Sequence, residues 1–173
     1  MSSLLRRPAI VLAFLLCLYG CQKAPEDVQL SGPIFGTQWS LIYHGVDESV
    51  TEEKVKEALL EALSVVDGSM NHYLPSSTLS ELNRLPAMEV MEVDWDFALV
   101  FNTALEIYYA TDGAYDPSVS PLINLWGFGP EGVTKRPTDE EIAAVEPFVG
   151  LDEFAWGLST RGFVKRDTKA TLD

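Results

Sequence analysis

The chain has 173 residues, with 12 Lys and Arg against 26 Asp and Glu, a formal charge of −14, and 47% apolar residues. Such acidity disfavours nucleic acid and anionic lipid headgroups as partners. The apolar share excludes an intrinsically disordered chain, and no internal repeat or low-complexity tract is visible.

The first residues read as a targeting segment rather than as fold. Met1 to Arg7 holds Arg6 and Arg7 and no acid, Pro8 to Tyr19 is apolar, and Gly20-Cys21 follows. That order is a basic n-region, a short h-region and a cleavage site. The run falls short of the ~20 residues that a spanning helix needs. Leu18-Tyr19-Gly20-Cys21 reads as a bacterial lipobox cleaved before Cys21, which would become the lipidated N-terminus. Each acyl methylene buried in the bilayer contributes ~0.8 kcal/mol to anchoring. The expected location is the cell envelope, lipid-anchored and facing the periplasm. Cys17 leaves with the signal, so no thiol remains to form a disulfide. Twelve basic residues less the two Arg of the signal leave ten, against 26 acids, a formal −16. The expected organisation is a signal over 1–20, a lipidated Cys and polar tether over 21–31, and a domain over 32–173.

Phe35, Thr37, Trp39, Leu41 and Tyr43 alternate, which predicts a strand from Ile34 to Tyr43. Ser49 with Glu52 fits a capping box, and Val55, Leu59, Ala62, Leu63 and Val66 form a helical stripe that Asp67-Gly68 should stop. Thr78 with Glu81 fits a second box ahead of Leu79, Leu82 and Leu85. Asp94 is placed to cap a third helix with the stripe Phe97, Phe101, Ala104, Leu105 and Tyr108, closed by Asp112-Gly113. Thr138 with Glu141 opens a short helix that ends near Glu146-Pro147. Strands are expected over Phe154–Leu158, Phe163–Arg166 and Ala170–Asp173, with a turn at Ser159–Gly162. Strands at both ends with helices between them predict an α+β fold, an antiparallel sheet with packed helices.

Thr111 to Pro130 stands apart. Pro117, Pro121 and Pro130 remove donors, and Gly113, Gly127 and Gly129 permit positive φ. Leu122, Ile123, Leu125, Trp126 and Phe128 are too apolar for a solvated tether. The stretch reads as a structured loop, too broken for a helix or a long strand. No G-x-G-x-x-G or P-loop is present, and His44 and His72 have no neighbours at zinc-ligand spacing. The acidic runs Glu52-Glu53 and Asp139-Glu140-Glu141 fit helix starts, where they complement the dipole.

The words DGAYDPSVSPLINLWGFGP resemble the signature of the FAD:protein FMN transferase (ApbE) family, DGAxDxTxxPLxxLWGF. Ile34-Phe35-Gly36-Thr37 resembles the family's MGT strand, and Tyr73 to Asn83, YLPSSTLSELN, its YxxxSxLxxLN segment. Thr171-Leu172-Asp173 resembles the strand leading into its LSxIAKGYA segment. The resemblance runs from about Gly32 to Asp173. Family members are about twice as long, so the resemblance implies an ApbE-like fold truncated before its second half, or a half-length protein that pairs with a second chain.

The resemblance further implies that Phe35, Tyr73, Ala114, Tyr115, Asp116 and Asp173 contact FAD. A flat ring needs aromatic or apolar faces, which Tyr73 and Phe35 offer, and Asp116 offers an acceptor. Taken alone, Tyr73 reads as a core or rim tyrosine and Asp116 as an Asx-turn residue before Pro117. Phe35 stands where the family has Met and lacks the flexible thioether. The implied reaction is Mg²⁺-assisted transfer of FMN from FAD to a Thr or Ser of a target protein, the acceptors being subunits of membrane electron-transfer complexes. The resemblance places the metal ligands beyond Asp173, and no catalytic residue is assigned. The alternatives are a lipid-anchored flavin-binding module without turnover and a non-functional fragment.

Overall fold

A computed structural model describes residues 27–35, 37–44, 49–129, 132, 135–157 and 160–173. Cys21, the expected signal and most of the expected tether lie outside the described residues. The chain divides into two compact units, Met1–Val55 and Lys56–Asp173.

The first unit is built on an antiparallel hairpin. β1 (Val28–Ile34) pairs with β2 (Thr37–Tyr43) from Val28↔Tyr43 to Ile34↔Thr37. The expected single strand from Ile34 is therefore corrected to a turn between two strands, with Phe35 at φ 48 in the connection. Val28–Leu30, read above as the end of the tether, already pair in β1. The cause is the alternation Val28, Leu30, Gly32, Ile34, which continues the period-2 pattern of β2 backwards through the turn. Across the hairpin Gly32 faces Trp39, and a Cβ on Gly32 would come within 2.9 Å of the indole Nε1. The glycine lets that ring lie over the neighbouring strand.

The second unit has helices packed on a three-stranded antiparallel sheet. α1 (Glu52–Met70) begins in the first unit and runs into it. Its first turn is met by the Thr51 hydroxyl, which accepts from the Lys54 N–H. The helix passes through Asp67-Gly68 instead of stopping there, and Asp67 is used from outside by the Asn71 side chain at 2.8 Å. α2 (Thr78–Arg84) is capped by Ser77, whose hydroxyl accepts from Ser80 N–H, and not by Thr78. β3 (Val90–Glu92), unforeseen in the sequence, leads through Asp94 into α3 (Trp95–Ala110). α3 ends as expected at Asp112-Gly113, with Gly113 N–H on the Tyr108 carbonyl at 2.9 Å.

The expected loop over 111–130 contains helix. A 3₁₀ turn over Pro117–Val119 runs into α4 (Ser120–Leu125), with a proline in the first turn of each. Proline is tolerated there because a first-turn N–H has no intrahelical partner to lose. Gly127, at φ 84, then stops α4, with Phe128 N–H reaching back to the Ile123 carbonyl. α5 (Asp139–Val145) carries the full Thr138–Glu141 capping box. β4 (Phe154–Gly157) and β5 (Gly162–Lys165) complete the sheet in the order β3-β5-β4. Ala170–Asp173 forms no strand, contrary to expectation.

The core sits where α2 and α3 meet the sheet. Phe163, on the central strand, is fully buried, and the rings of Phe97, Phe101, Phe154 and Trp156 surround it at centroid distances of 4.5–6.1 Å. Most of these contacts are edge-to-face, the arrangement that ring quadrupoles favour. Asp94 joins three helices to this core. Its carboxylate accepts from Phe97 N–H at 2.8 Å, from Ser69 Oγ at 2.9 Å and from Thr78 Oγ1. Burial works to raise its pKa, but the hydrogen bonds from Thr78, Phe97 and Ser69 outweigh burial and hold it below the ordinary 3.8.

Asp94→Ala should therefore lower stability by about 2–4 kcal/mol, a lost cap plus two stranded hydroxyls, as read from urea unfolding. The sign with pH follows from the lowered pKa. The ionised group's contribution is complete above the unfolded value and is lost as pH falls through the folded one. The parent should lose stability below about pH 4 more steeply than Asp94→Asn.

Candidate functional site

Five of the expected site positions, Tyr73, Ala114, Tyr115, Asp116 and Asp173, are set by backbone devices that can be traced one by one. Tyr73 lies in the connection between α1 and α2. Its N–H is held by Asn71 Oδ1 at 2.8 Å, and its hydroxyl donates to the Phe128 carbonyl at 3.2 Å. Its ring is 60% exposed. The connection itself is tied down by Ser77 Oγ on the Asn71 carbonyl and Ser80 Oγ on the His72 carbonyl. An exposed aromatic on a loop wired this closely is a presented face rather than a loose one.

Ala114, Tyr115 and Asp116 follow the end of α3. Thr111 organises them. Its carbonyl accepts from Ala114 N–H and its hydroxyl from Tyr115 N–H, both at 3.1 Å. Asp116 caps the 3₁₀ turn, its Oδ1 accepting from Ser118 N–H at 2.8 Å and from Ser118 Oγ. Ser118 is fully buried, and its oxygen accepts in turn from Gly150 N–H at 2.6 Å. The Asx-turn reading of Asp116 is thus realised in the fold, and one of its oxygens serves the loop.

Asp173 is brought to both groups. Its N–H donates to the Pro117 carbonyl at 2.9 Å, and its Oδ1 lies 2.8 Å from His72 Nδ1. It therefore bonds to the residue before Tyr73 and to the residue after Asp116. Asp173 and Tyr115 also line one cleft of about 120 Å³, whose floor includes Met70, Leu79 and Phe101. A second, more polar cleft of about 320 Å³ is lined by His72, Asn83, Arg84 and Thr171. Phe35 sits in the hairpin turn of the first unit, 45% exposed. Among the described residues no cluster of three or more His, Cys, Asp or Glu is placed to hold a metal ion, and no helix is long and apolar enough to cross a membrane.

Three residues that carry this arrangement were not singled out from sequence. Asn83 substitutes for a missing strand partner. Its Nδ2 donates to the Leu172 carbonyl and its Oδ1 accepts from Leu172 N–H, each at 2.8 Å. Lys165 is fully buried, with Nζ on the carbonyls of Asn83 at 2.8 Å and Thr168 at 3.0 Å. Burial lowers its pKa, an effect that Asp167 partly opposes. Its signal was present in the alternation of β5, where Lys165 falls on the same inward register as Phe163. His72 has no neighbours at zinc-ligand spacing in the sequence. Its Nε2 is buried without a partner among the described residues, which costs of the order of 1–3 kcal/mol and must be offset by the Nδ1 bond and by packing.

The family model described as the ApbE family matches residues 35–173. A FAD:protein FMN transferase of Vibrio cholerae is 38% identical over 152 residues, 86% of this chain and 45% of the relative. One of Haemophilus influenzae is 36% identical over 149 residues, 83% of this chain and 42% of the relative. The chain thus spans less than half the length of these curated relatives. Among solved structures, the flavin transferase ApbE of Vibrio cholerae superposes with a TM-score of 0.81 at 30% identity, over 86% of this chain and 48% of that one. The apo flavinyl transferase ApbE of Pseudomonas stutzeri shares the fold with a TM-score of 0.79 at 23% identity, over 88% and 49%.

Ser118→Ala should loosen the Asp116 loop, because it strands the Gly150 N–H and removes a donor to the carboxylate. A loss of roughly 1–3 kcal/mol is expected in urea unfolding, with faster amide exchange at Gly150.

Proposed function

Because this chain belongs to the ApbE family, we propose that it supplies the FAD-contacting N-terminal half of a FAD:protein FMN transferase. The observation that carries the reading is Asp173. It is bonded on one side to the loop of Tyr73 and on the other to the loop of Asp116, so segments far apart in sequence converge on one place. The exposed rings of Tyr73 and Tyr115 offer faces for the flat parts of FAD. Asp116 and Asp173 offer acceptors to ring or ribose donors, and the backbone over 113–117 is rigid enough to read a ring edge. Phe35 lies in the first unit, and its assignment to FAD rests on the resemblance alone.

In the proposed reaction a Thr or Ser oxygen of the acceptor forms a bond to the flavin-side phosphorus. The bond from that phosphorus to the bridging oxygen of the pyrophosphate breaks, AMP leaves, and the hydroxyl proton passes to base or solvent. Binding and orientation of FAD are what this chain's own residues would contribute. Mg²⁺ belongs to the proposal because of the pyrophosphate charge. The described residues do not assemble a site for it. The proposed acceptors are subunits of membrane electron-transfer complexes. A lipid on Cys21 would concentrate the enzyme on the periplasmic surface where they lie.

Titration of the full chain with FAD, followed by fluorescence quenching, tests the binding half of this reading. Tyr73→Ala should weaken binding by about 1–3 kcal/mol, the scale of aromatic–base stacking. Asp116→Ala should weaken it too, while Glu53→Ala, on the first turn of α1, should change nothing. Transfer is assayed with a polypeptide supplying the rest of the relatives' fold and a Thr-bearing acceptor. It should require Mg²⁺ and stop with EDTA. Binding without transfer in that assay would favour the flavin-binding module instead.

The anchor is tested separately. Cys21→Ser should release the protein from the membrane fraction or leave it unprocessed. An unchanged mature size and membrane partition would remove the lipoprotein reading.

A further inference from the structure

The bond between His72 and Asp173 is not explained by packing. His72 Nδ1 lies 2.8 Å from Asp173 Oδ1, and because a carboxylate only accepts, a hydrogen bond between them needs the hydrogen on Nδ1. Both side chains are about three-quarters covered, at 25% and 26% exposure, so this is not a solvated surface pair. The imidazole also lies against Tyr73, with ring centroids 4.0 Å apart and planes tilted by 38°. One side chain therefore touches both the exposed aromatic and the carboxylate that the proposed function assigns to FAD.

The rest of the neighbourhood removes other freedom from Asp173. Its own N–H is held by Pro117, and Leu172 before it is clamped by both ends of the Asn83 amide. The backbone is thus fixed, and the torsions of the Asp173 side chain are what remains to be set. His72 is the group that sets them. The backbone of His72 is itself held, with its carbonyl accepting from Ser80 Oγ at 3.2 Å. A donor group on a fixed backbone, 2.8 Å from a carboxylate on a fixed backbone, is a preorganising contact.

We propose that His72 is a positioning residue for flavin binding: its Nδ1–H orients the Asp173 carboxylate while its ring backs Tyr73. It touches the flavin only through these two residues. The proposal rests on the FAD-binding reading and deepens it. It gives a role to a histidine whose chemistry is donation and stacking.

The test is FAD titration of the full chain by fluorescence quenching, with far-UV circular dichroism and thermal melting as folding controls. His72→Phe keeps a ring against Tyr73 and removes the donor. His72→Asn gives up the ring and keeps an N–H close to the Nδ1 position. FAD affinity should fall about ten- to hundredfold in His72→Phe, the loss of one hydrogen bond to a charged group, and His72→Asn should recover most of it. In an Asp173→Ala background, His72→Phe should cause no further loss, because its partner is gone. A purely packing role predicts the reverse order, with Phe close to the parent and Asn weak, and that result overturns the proposal. If His72→Phe does not fold, His72→Asn decides alone, since tenfold or greater weakening in that variant also overturns it. A parent that binds no FAD removes the flavin reading and this proposal together. A parent that binds, with His72→Phe binding equally well, removes this proposal and leaves the flavin reading standing.

Discussion

The second unit depends on one partly buried carboxylate. Asp94 ends the link from β3, starts α3, and takes the hydroxyls of Ser69 at the end of α1 and Thr78 at the start of α2. Those two hydroxyls bracket the connection over 71–77, which carries His72 and Tyr73. The same carboxylate that caps a helix therefore fixes both ends of the loop that presents the exposed aromatic. Hydrogen bonds to an ionised group are about twice as strong as neutral ones, which makes such a junction stiff as well as stable. A single acid at this place couples core packing to site geometry.

A second constraint acts on the last residues. Ala170 and Leu172 are buried, yet their segment joins no sheet. Buried backbone groups need partners, and here the Asn83 amide supplies an N–H and a C=O in the spacing that a neighbouring strand would have offered. The carbonyl of Asn83 is held in turn by the buried ammonium of Lys165. Two carbonyls receive the hydrogens of this cation, and Asp167 partly opposes the effect of its burial. The order Lys165, Asn83, Leu172, Asp173 is a chain of support that ends at the proposed flavin contact. It runs by side-chain hydrogen bonds from β5 and α2 to a segment that belongs to no sheet or helix.

The differences between sequence and structure have a common cause. Thr78 and Glu81 match a capping box, but the Thr78 hydroxyl is drawn to Asp94, and Ser77 caps α2 instead. Asp67-Gly68 looks like a helix stop, but Ser69, the next residue, reaches Asp94 and α1 runs on to Met70. Tertiary partners outside the local window decided both. By contrast, the Thr138–Glu141 box and the Asp94 cap close within four residues, and both stand as read. Pro117 and Pro121 looked like breakers and are helix starters, since their effect depends on which turn they occupy.

What the sequence determined by itself is what local physics and motif order can carry. The helices of the second unit other than α4, the α+β class and membership of the ApbE family were all legible in periodicity, caps and four segments in order. So were Tyr73, Asp116 and Asp173 as residues to watch. Only the tertiary structure decided that Asp173 meets His72, that Asn83 stands in for a strand, and that Lys165 is buried beneath it. These contacts join residues from 82 to 101 positions apart, a separation at which no periodicity survives. A lone histidine, an asparagine and a lysine carry no local signature of what they will touch, because their partners are set by the packing of whole elements.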